Sequence, residues 1–470
     1  MYLFNGNLYI LSLLKLIIMK LTFLGGAGTV TGSKIILEVN YKKLLIDCGL
    51  FQGLKELRLK NWEKLPINSD EIDTVFLTHA HLDHSGYLPI LVKNGYKGKI
   101  YCSEATKDLA KIILLDSGKI QEEEAHRANE HHYTKHEKAV PLYDREDAVN
   151  TLSHFQTFKL NEWFPIDDTI KFKFLNSGHI LGSTFIVFEI NGKTIVFSGD
   201  IGRKNPIILP KYEYISNADY LVIESTYGNR LHEQIDIKEA LLKPIIKTYE
   251  KGGTLVIPTF SVERAQEIIY LLSVLKRENK LPKIPIYLDS PMGVNATEVY
   301  LNYKNNHILS HEDVSSMLST VHLVSDVETS KSVVSNKNQK IVLAGSGMLT
   351  GGRVLHYLDS LISDPKNSIL IVGYQAVGTR GRALLSGDSE IKFFGSYHKI
   401  NAEIFTINAF SGHADQSELL DWLKHFKKPP LLTFINHGEP HQSQALKTKI
   451  KNDLGWKCTV AKMENEYYLD

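Results

Sequence analysis

The sequence has few cysteines, almost no net charge and no apolar run long enough to span a membrane. Its three cysteines, Cys48, Cys102 and Cys458, form no C-x-x-C pair, which favours a reducing, cytoplasmic compartment and leaves zinc ligation to His and Asp. A formal net charge of +1 excludes a global basic field, so nucleic-acid contacts would need local positive charge. The 470 residues suffice for two or more domains.

The first eighteen residues do not fit the pattern of the rest of the chain. The apolar run 8–19 is interrupted by Ser12 and Lys15 and is too short for a membrane span. No basic segment precedes it and no small-residue cleavage site follows it, which argues against a signal peptide. We expect residues 1–18 to be an extension, either untranslated or disordered, and the alternative is an extra surface helix.

The segment Thr78–Gly86 is dense in side chains that bind metals. It contains four of them: His79, His81, Asp83 and His84. Apolar runs on either side predict a buried strand, a polar loop and a helix. Side chains at i and i+2 of an extended loop point the same way, so His79 and His81 can share one metal ion and leave Asp83 and His84 for a second. The alternative interpretation is a polar loop that is merely rich in histidine.

Other short apolar runs lead into a residue suited to ligation or proton transfer: Asp47, His179, Asp200, Glu224 and His437. Such runs are typical of central buried strands, whose ends give metal ligands rigid support. A two-metal hydrolase needs another ligand for each metal and a bridging carboxylate. We assign His179 to the first metal, Asp200 to the bridge and His437 to the second metal.

Residues 103–160 and the segment after Asn229 have different patterns. A helix is predicted for 104–118, and the polar segment 121–143 contains four histidines: His126, His131, His132 and His136. They could bind metal, but a run of Glu without strand context favours a solvated helix and loop.

From about Asn229, helices and strands are predicted to alternate. The helices are predicted at 235–250, at 261–276 with Ser261 as N-cap, after Pro291 and from Gly352, and the strands at 254–257, 284–288, 340–344 and 368–372. This alternation indicates a parallel sheet. We expect an α/β domain, 229–405, inserted into a first domain made of 19–228 and 406–470.

The motifs together resemble those of a known family. The superfamily-type motifs are Asp47, the His-x-His-x-Asp-His block, His179 and Asp200; three further motifs are Glu224-Ser-Thr-Tyr-Gly, Phe410-Ser-Gly-His413-Ala-Asp and Asn436-His437-Gly-Glu. In this order they resemble the metallo-β-lactamase fold and its β-CASP branch of RNA-processing nucleases, most of all the short bacterial ribonucleases. The segment Ser346–Arg353 also resembles that branch. The resemblance implies an αββα sandwich with an inserted β-CASP α/β domain.

The resemblance also implies which residues act. It places His79, His81 and His179 on one zinc ion, Asp83, His84 and His437 on a second, Asp200 between them, and Asp47 behind the ligand histidines. Two metal ions about 3.5–4 Å apart can share a hydroxide near neutral pH. With Asp83 and Asp200, the implied catalytic set includes Glu224 and His413, of which His413 would be the general acid or phosphate-binding group. A structural ion pair between Glu224 and His413 is the alternative.

Substrate contacts are harder to assign. Ser346 and Gly347 lie in a Gly-rich segment that opens a helix, where backbone N–H groups favour phosphate. A local positively charged surface that contacts single-stranded RNA could be formed by four arginines: Arg264, Arg353, Arg380 and Arg382. His356 could face substrate or pack on its helix. Base stacking or core packing could be the role of three aromatic residues: Tyr227, Tyr374 and Phe410.

The resulting prediction is a zinc-dependent ribonuclease with two zinc ions per chain, cleaving single-stranded RNA between the two domains. The resemblance implies products with 5′-phosphate and 3′-hydroxyl ends, leaves endonuclease and 5′–3′ exonuclease action open, and suggests a homodimer. One alternative is a hydrolase of a small thioester or phosphodiester, against which the inserted domain argues. Another is a binding protein without catalysis, against which the intact ligand set argues.

Overall fold

Two seven-stranded sheets form the first domain of the computed structural model, which describes residues 19–131, 137–373 and 375–470. In spatial order, the first sheet consists of the strands Glu466–Leu469, Met19–Gly25, Lys34–Val39, Lys42–Ile46, Thr74–Phe76, Lys99–Cys102 and Phe155–Thr157. The second consists of Cys458–Val460, Leu432–Ile435, Tyr220–Ile223, Lys193–Phe197, Thr184–Ile190, Ile170–Asn176 and Phe164–Pro165. Each sheet therefore contains strands from both sides of the segment 229–405.

The inner faces of these two sheets pack against each other through aromatic side chains. Phe76 of the first sheet lies with its ring centroid 4.9 Å from that of Phe172 and 4.8 Å from that of Phe188, both in the second sheet. Edge-to-face contacts of this kind add to the stabilisation that apolar burial provides. This interior joins the strands whose ends carry the polar motifs, so it fixes where those motifs lie.

Helices cover the two outer faces of the sandwich. One apolar cluster joins the first sheet to helices on its outer side and includes Leu91, Leu109 and Tyr143. Another joins the second sheet to the C-terminal helices through Trp422 and Leu446. The predicted αββα sandwich is thereby confirmed. The helices of this domain are Lys55–Leu59, Leu82–Ser85, Leu88–Lys93, Glu104–Glu130, Arg145–Leu152, Gln416–Leu423 and Pro440–Leu454, with 3₁₀ turns at Lys60–Trp62 and Ser69–Glu71.

The inserted domain is built on a six-stranded parallel sheet, also as predicted. Its strands, in spatial order, are His322–Val324, Ile286–Asp289, Lys340–Ala344, Thr254–Pro258, Ser368–Val372 and Glu403–Ile407. Apolar clusters cover both faces, as a parallel sheet requires. The helices are Ile237–Glu250, Arg264–Arg277, Pro291–Asn302, His311–Thr320, Val327–Ser335, Val354–Leu361 and Arg380–Leu385, with 3₁₀ turns at Lys304–Asn306 and Asn408–Phe410 and a hairpin of Glu390–Phe393 and Ser396–Lys399.

Several predicted helix and strand boundaries in this domain differ from the structure. The helix predicted from 261 begins at Arg264, because Glu263 adopts φ 69° and ψ −63° and breaks the helical path just before it. The strand predicted at 284–288 is Ile286–Asp289, since Pro285 has no N–H to donate to a ladder. The strand Glu403–Ile407 pairs in parallel with Ser368–Val372 and is the last strand of this sheet along the chain.

The long helix of the first domain also extends beyond its prediction. It covers Glu104–Glu130 rather than ending at Gly118, because the polar residues that follow include many good helix formers. His126 and His131 are exposed at its end, and neither joins a metal-competent group among the described residues. Residues 1–18, His132, His136 and Tyr374 lie outside the described residues. Within the described ranges, no helix has the length and apolarity that crossing a membrane would require.

Candidate metal centre

The predicted ligands meet at one edge of the sandwich. Asp47 and the segment 78–84 follow the parallel strands Lys42–Ile46 and Thr74–Phe76 of the first sheet. In the second sheet, three parallel strands lead into the other motifs, and these strands are Lys193–Phe197 before Asp200, Tyr220–Ile223 before Glu224 and Leu432–Ile435 before His437. Parallel neighbours end on the same side, so sheet topology gathers residues that lie far apart in sequence.

Four donor atoms form a first group. His81 Nδ1 lies 3.1 Å from His79 Nε2 and 3.2 Å from His179 Nε2. Asp200 Oδ2 lies 3.6 Å from His79 Nε2 and 3.5 Å from His179 Nε2. His79, His179 and Asp200 are buried and His81 is half-buried. The side chains expected on the first metal are therefore in one cluster.

A second group lies on the other side of Asp200. His84 Nε2 and His437 Nε2 are 3.2 Å apart, and His437 Nε2 is 3.6 Å from Asp83 Oδ2. Asp200 Oδ1 lies 3.4 Å from His84 Nε2 and 3.3 Å from His437 Nδ1. The two oxygens of Asp200 thus face different groups, which is the arrangement expected of a bridging carboxylate.

The donor set fits a metal cofactor. With zinc–nitrogen bonds of about 2.0–2.1 Å, tetrahedral ligation places nitrogens about 3.3 Å apart, and the first group has spacings of 3.1 and 3.2 Å. Burial holds the pKa of His79 and of His179 well below the usual value and lowers the pKa of His81 to about 4, so these rings are neutral near pH 7 and offer lone pairs. Among the residues that the structure describes, buried Asp200 Oδ1 has no hydrogen-bond partner.

Polar partners orient the ligand rings from behind. These contacts join His84 Nδ1 to Asp47 Oδ2 at 2.6 Å, His79 Nδ1 to Thr78 Oγ1 at 3.0 Å, His179 Nδ1 to the Gly412 carbonyl at 3.1 Å, and His437 Nδ1 to Thr226 Oγ1 at 3.2 Å. Such contacts fix the tautomer and aim the opposite nitrogen at a metal. Only Asp47 was expected here from the sequence. Thr78 and Thr226 lie inside quoted motifs, but nothing in the sequence distinguishes their hydroxyl groups from ordinary polar ones.

Asp47 connects two of these contacts. Its Oδ1 accepts hydrogen bonds from the backbone N–H of Thr78 at 2.8 Å and from the Thr78 hydroxyl at 3.0 Å, while its Oδ2 receives His84. We expect Asp47→Ala to weaken metal binding about 10- to 100-fold, the usual effect of losing a carboxylate behind a ligand histidine. Titration with a competing chelator measures this affinity.

Asp73→Ala provides the matched control for that prediction. Asp73 accepts a hydrogen bond from the backbone N–H of Lys43, on the strand that also leads to Asp47, but it is exposed and has no contact with a ligand histidine. The metal affinity of Asp73→Ala should equal that of the unmodified protein. An equal loss of affinity in both variants would show that Asp47 acts only through the stability of the sheet.

Glu224 and His413 lie beside the first group. His413 Nδ1 is 3.2 Å from both carboxylate oxygens of Glu224 and 3.9 Å from Asp200 Oδ2, and its ring centroid is 4.5 Å from that of His179. Burial alone would lower the pKa of His413, but the charges of Glu224 and Asp200 outweigh it and raise the pKa to about 9. The ring is therefore protonated near pH 7. His232 Nε2, which the sequence did not single out, donates to the His413 carbonyl at 3.0 Å.

Two of the four predicted arginines are engaged within the inserted domain. The guanidinium group of Arg353 binds Asp289 at 2.5 Å and the carbonyls of Val324 and Ser325 at 3.1 and 2.6 Å. That of Arg380 binds three carbonyls, those of Lys392, Leu349 and Thr350. Arg382 is exposed. The structure brings neither Arg353 nor Arg380 to the ligand groups.

Arg264 has a different position from these three arginines. It is buried, and its Nη2 borders Gly412, where a β-carbon would lie 3.3 Å from that nitrogen and 3.4 Å from His179 Cε1. Arg264 is therefore placed next to a ligand histidine and next to the backbone that carries His413.

The remaining substrate candidates have local contacts. Ser346 Oγ accepts the Thr350 backbone N–H at 3.0 Å, and the Gly347 carbonyl accepts Gln375 Nε2 at 3.1 Å, so both shape the Gly-rich loop. His356 is exposed and stacks on Phe394 with ring centroids 4.9 Å apart. Tyr227 and Phe410 are buried, as the packing alternative expects.

Comparison with known proteins agrees with this geometry. Family models match three segments: a metallo-beta-lactamase superfamily domain at 36–225, a Beta-Casp domain at 265–384, and a Zn-dependent metallo-hydrolase RNA specificity domain at 397–461. Ribonuclease TTHA0252 of Thermus thermophilus is 36% identical over 435 residues, which are 91% of this chain and 95% of that protein. The chain belongs to the β-CASP branch of the metallo-β-lactamase superfamily. It is accordingly a metal-dependent hydrolase.

Other relatives and one solved structure extend the comparison of this β-CASP protein. An RNase J-like protein of Methanocaldococcus jannaschii is 34% identical over 433 residues, 90% of this chain and 93% of that protein. Transcription termination factor FttA of Methanosarcina mazei is 33% identical over 440 residues, 89% of this chain and 67% of that protein. A crystal structure of a protein of unknown function from Enterococcus faecalis V583 has a TM-score of 0.56 at 13% identity, covers 96% of this chain and 100% of that one, and shows the fold alone.

Proposed function

We propose that this protein is a zinc-dependent ribonuclease that hydrolyses phosphodiester bonds in single-stranded RNA. The observation that carries the proposal is the position of Asp200, whose two oxygens face two separate groups of metal-competent side chains. Relatives with high coverage that are named as a ribonuclease and as an RNase J-like protein support RNA as the substrate. We propose two zinc ions per chain, one in each group.

The side chains around the ligand groups suit attack on a phosphodiester. Bound zinc would polarise phosphate oxygens and lower the pKa of a water molecule to a value near neutrality. Glu224 keeps His413 protonated, so the ring nitrogen that does not face Glu224 can donate a proton to the departing 3′-oxygen. Arg264 adds a buried positive charge beside His179 and Gly412, where a phosphate would need neutralisation.

The test uses 5′-phosphorylated single-stranded RNA labelled at its 3′ end, incubated with zinc-loaded protein. We expect cleavage, with two zinc ions per chain by elemental analysis. Labelled fragments at separate internal positions, without the one-nucleotide steps between them, would establish endonuclease action. Shortening from the 5′ end, either in one-nucleotide steps or directly to terminal fragments, would establish 5′–3′ exonuclease action. RNA left intact by the zinc-replete protein, with turnover of a generic small phosphodiester or thioester, would replace the proposal by the small-substrate alternative.

Two further parts of the proposal concern assembly and compartment. The three cysteines are free thiols, two of them buried, which agrees with the proposed reducing cytoplasm. A homodimer is proposed from the family resemblance, and light scattering of the purified protein tests it. A monomeric mass at micromolar concentration would remove that part without affecting the proposed reaction.

A further inference from the structure

Glu263 directly precedes the helix Arg264–Arg277 and has a backbone conformation that is rare for a residue other than glycine. Its φ of 69° and ψ of −63° place it at the centre of a γ-turn, closed by the hydrogen bond from Arg264 N–H to the Val262 carbonyl at 2.9 Å. Positive-φ γ-turns are rare and strained, and they persist only where surrounding contacts hold them. The side-chain contacts of Glu263 therefore hold this turn.

Those contacts lie at the boundary between the two domains. Tyr300, near the end of the helix Pro291–Asn302 of the inserted domain, donates its hydroxyl hydrogen to Glu263 Oε2, and both side chains are buried. The backbone of Leu181, in the first domain, lies beside this pair. Leu181 follows His179 by two residues. One buried carboxyl group thus connects the start of one helix to the end of another, next to the loop that carries His179.

The turn also sets the direction of the next residue. Arg264 leaves the γ-turn with its guanidinium group paired with Glu267 and 5.7 Å from the ring of Phe410. Its Nη2 borders Gly412, whose carbonyl accepts the hydrogen bond from His179 Nδ1. A change in the turn would therefore move a positive charge relative to His179 and to the backbone next to His413.

We propose that Glu263 and Tyr300 are positioning residues that hold Arg264 in place for the substrate phosphate. The inference rests on the proposed ribonuclease function. An unstrained turn would let the guanidinium group turn away from Gly412, whereas the Glu263–Tyr300 contact holds the turn in place. A misplacement of about 1 Å in such a group is enough to reduce turnover strongly.

The chain offers a matched pair of variants for the test. Tyr300→Phe removes only the hydroxyl group that contacts Glu263. Tyr303→Phe also removes a hydroxyl group, three residues later in the chain. That hydroxyl group donates to Asp108 Oδ2 at 2.8 Å, a contact between the two domains that does not involve Glu263 or Arg264. We expect Tyr300→Phe to lower kcat on single-stranded RNA about tenfold or more with little change in KM, while Tyr303→Phe stays within about twofold of the unmodified protein. Equal kcat values for the two variants would overturn the proposal.

Four further measurements separate positioning from stability. Zinc content and melting temperature should be alike in Tyr300→Phe and Tyr303→Phe, and a loss of zinc in Tyr300→Phe alone would overturn the proposal. In an Arg264→Gln background, Tyr300→Phe should cause no further loss of kcat, because its effect passes through Arg264. Additive losses of kcat in the double variant would contradict the proposal. Glu263→Gly relieves the strain of the turn but removes the contact with Tyr300, so its kcat should also be low. Turnover at or above the normal rate in Glu263→Gly would overturn the role of the carboxyl group.

The same assay keeps this inference distinct from the proposed function. The unmodified protein and its Asp200→Asn variant are measured alongside the tyrosine variants. If the unmodified protein leaves RNA intact, the proposed function fails. If it cleaves RNA in a manner that depends on Asp200, while Tyr300→Phe and Tyr303→Phe turn over equally fast, only the positioning role fails.

Discussion

Replacing Asp200 by asparagine is expected to abolish RNA cleavage and to lower the metal content of the protein. The carboxylate is buried, and its two oxygens face the two candidate ligand groups. An amide replaces one of these oxygens with an NH₂ group that cannot ligate a metal. Loss of metal assistance removes several kcal/mol of transition-state stabilisation, so we expect the rate to fall about a thousandfold or more.

The measurements are zinc content by elemental analysis and the initial rate on labelled single-stranded RNA. Asp168→Asn is the control, because Asp168 is exposed in the first domain and belongs to neither ligand group. It should keep full zinc content and rate. Full zinc content and a normal rate in Asp200→Asn would show that Asp200 does not bridge the two groups.

Replacing His413 by alanine is expected to reduce turnover while leaving the metal content unchanged. His413 Nδ1 faces Glu224, and the ring lies beside His179 without belonging to either ligand group. A positioned general acid contributes about 100- to 10,000-fold to a rate, and we expect kcat to fall within that range. Zinc content and kcat are measured on the same preparation.

His126→Ala is the control for His413, since His126 is exposed on the helix Glu104–Glu130 and far from the site in sequence. It should behave as the unmodified protein does. Normal turnover in His413→Ala with normal zinc content would remove His413 from the reaction. A large loss of zinc would instead make His413 part of the ligand set.

The fold was predictable because its signals are local. Runs such as Lys340–Ala344 and Ser368–Val372 are apolar after their first residue, and both strands have the bounds that the sequence predicted. At the helix predicted from 261, a single residue decided the boundary through its backbone geometry. Glu263 stops a helix that its own propensity would continue, and no periodicity in the sequence signals a positive φ at a glutamate.

Which polar residues serve the site was less predictable. The position of Arg353 in a Gly-rich segment suggested phosphate binding, yet its guanidinium group binds Asp289, which lies 64 residues earlier in the chain. The sequence did not distinguish Arg264 from Arg353 as a candidate for phosphate binding. Only the packing of the two domains places Arg264 beside His179. Side-chain pairing across domains depends on contacts that spacing in the sequence does not record.

The sequence by itself determined which His and Asp residues follow the ends of strands, because a strand and the residues after it are consecutive in the chain. The tertiary structure alone decided how these residues meet. Parallel neighbours bring the ends of Lys193–Phe197, Tyr220–Ile223 and Leu432–Ile435 to one edge, and Asp200 lies between the two ligand groups there. It also decided that the Glu263–Tyr300 contact lies beside the loop of His179, since the two come together only when the inserted domain packs on the first.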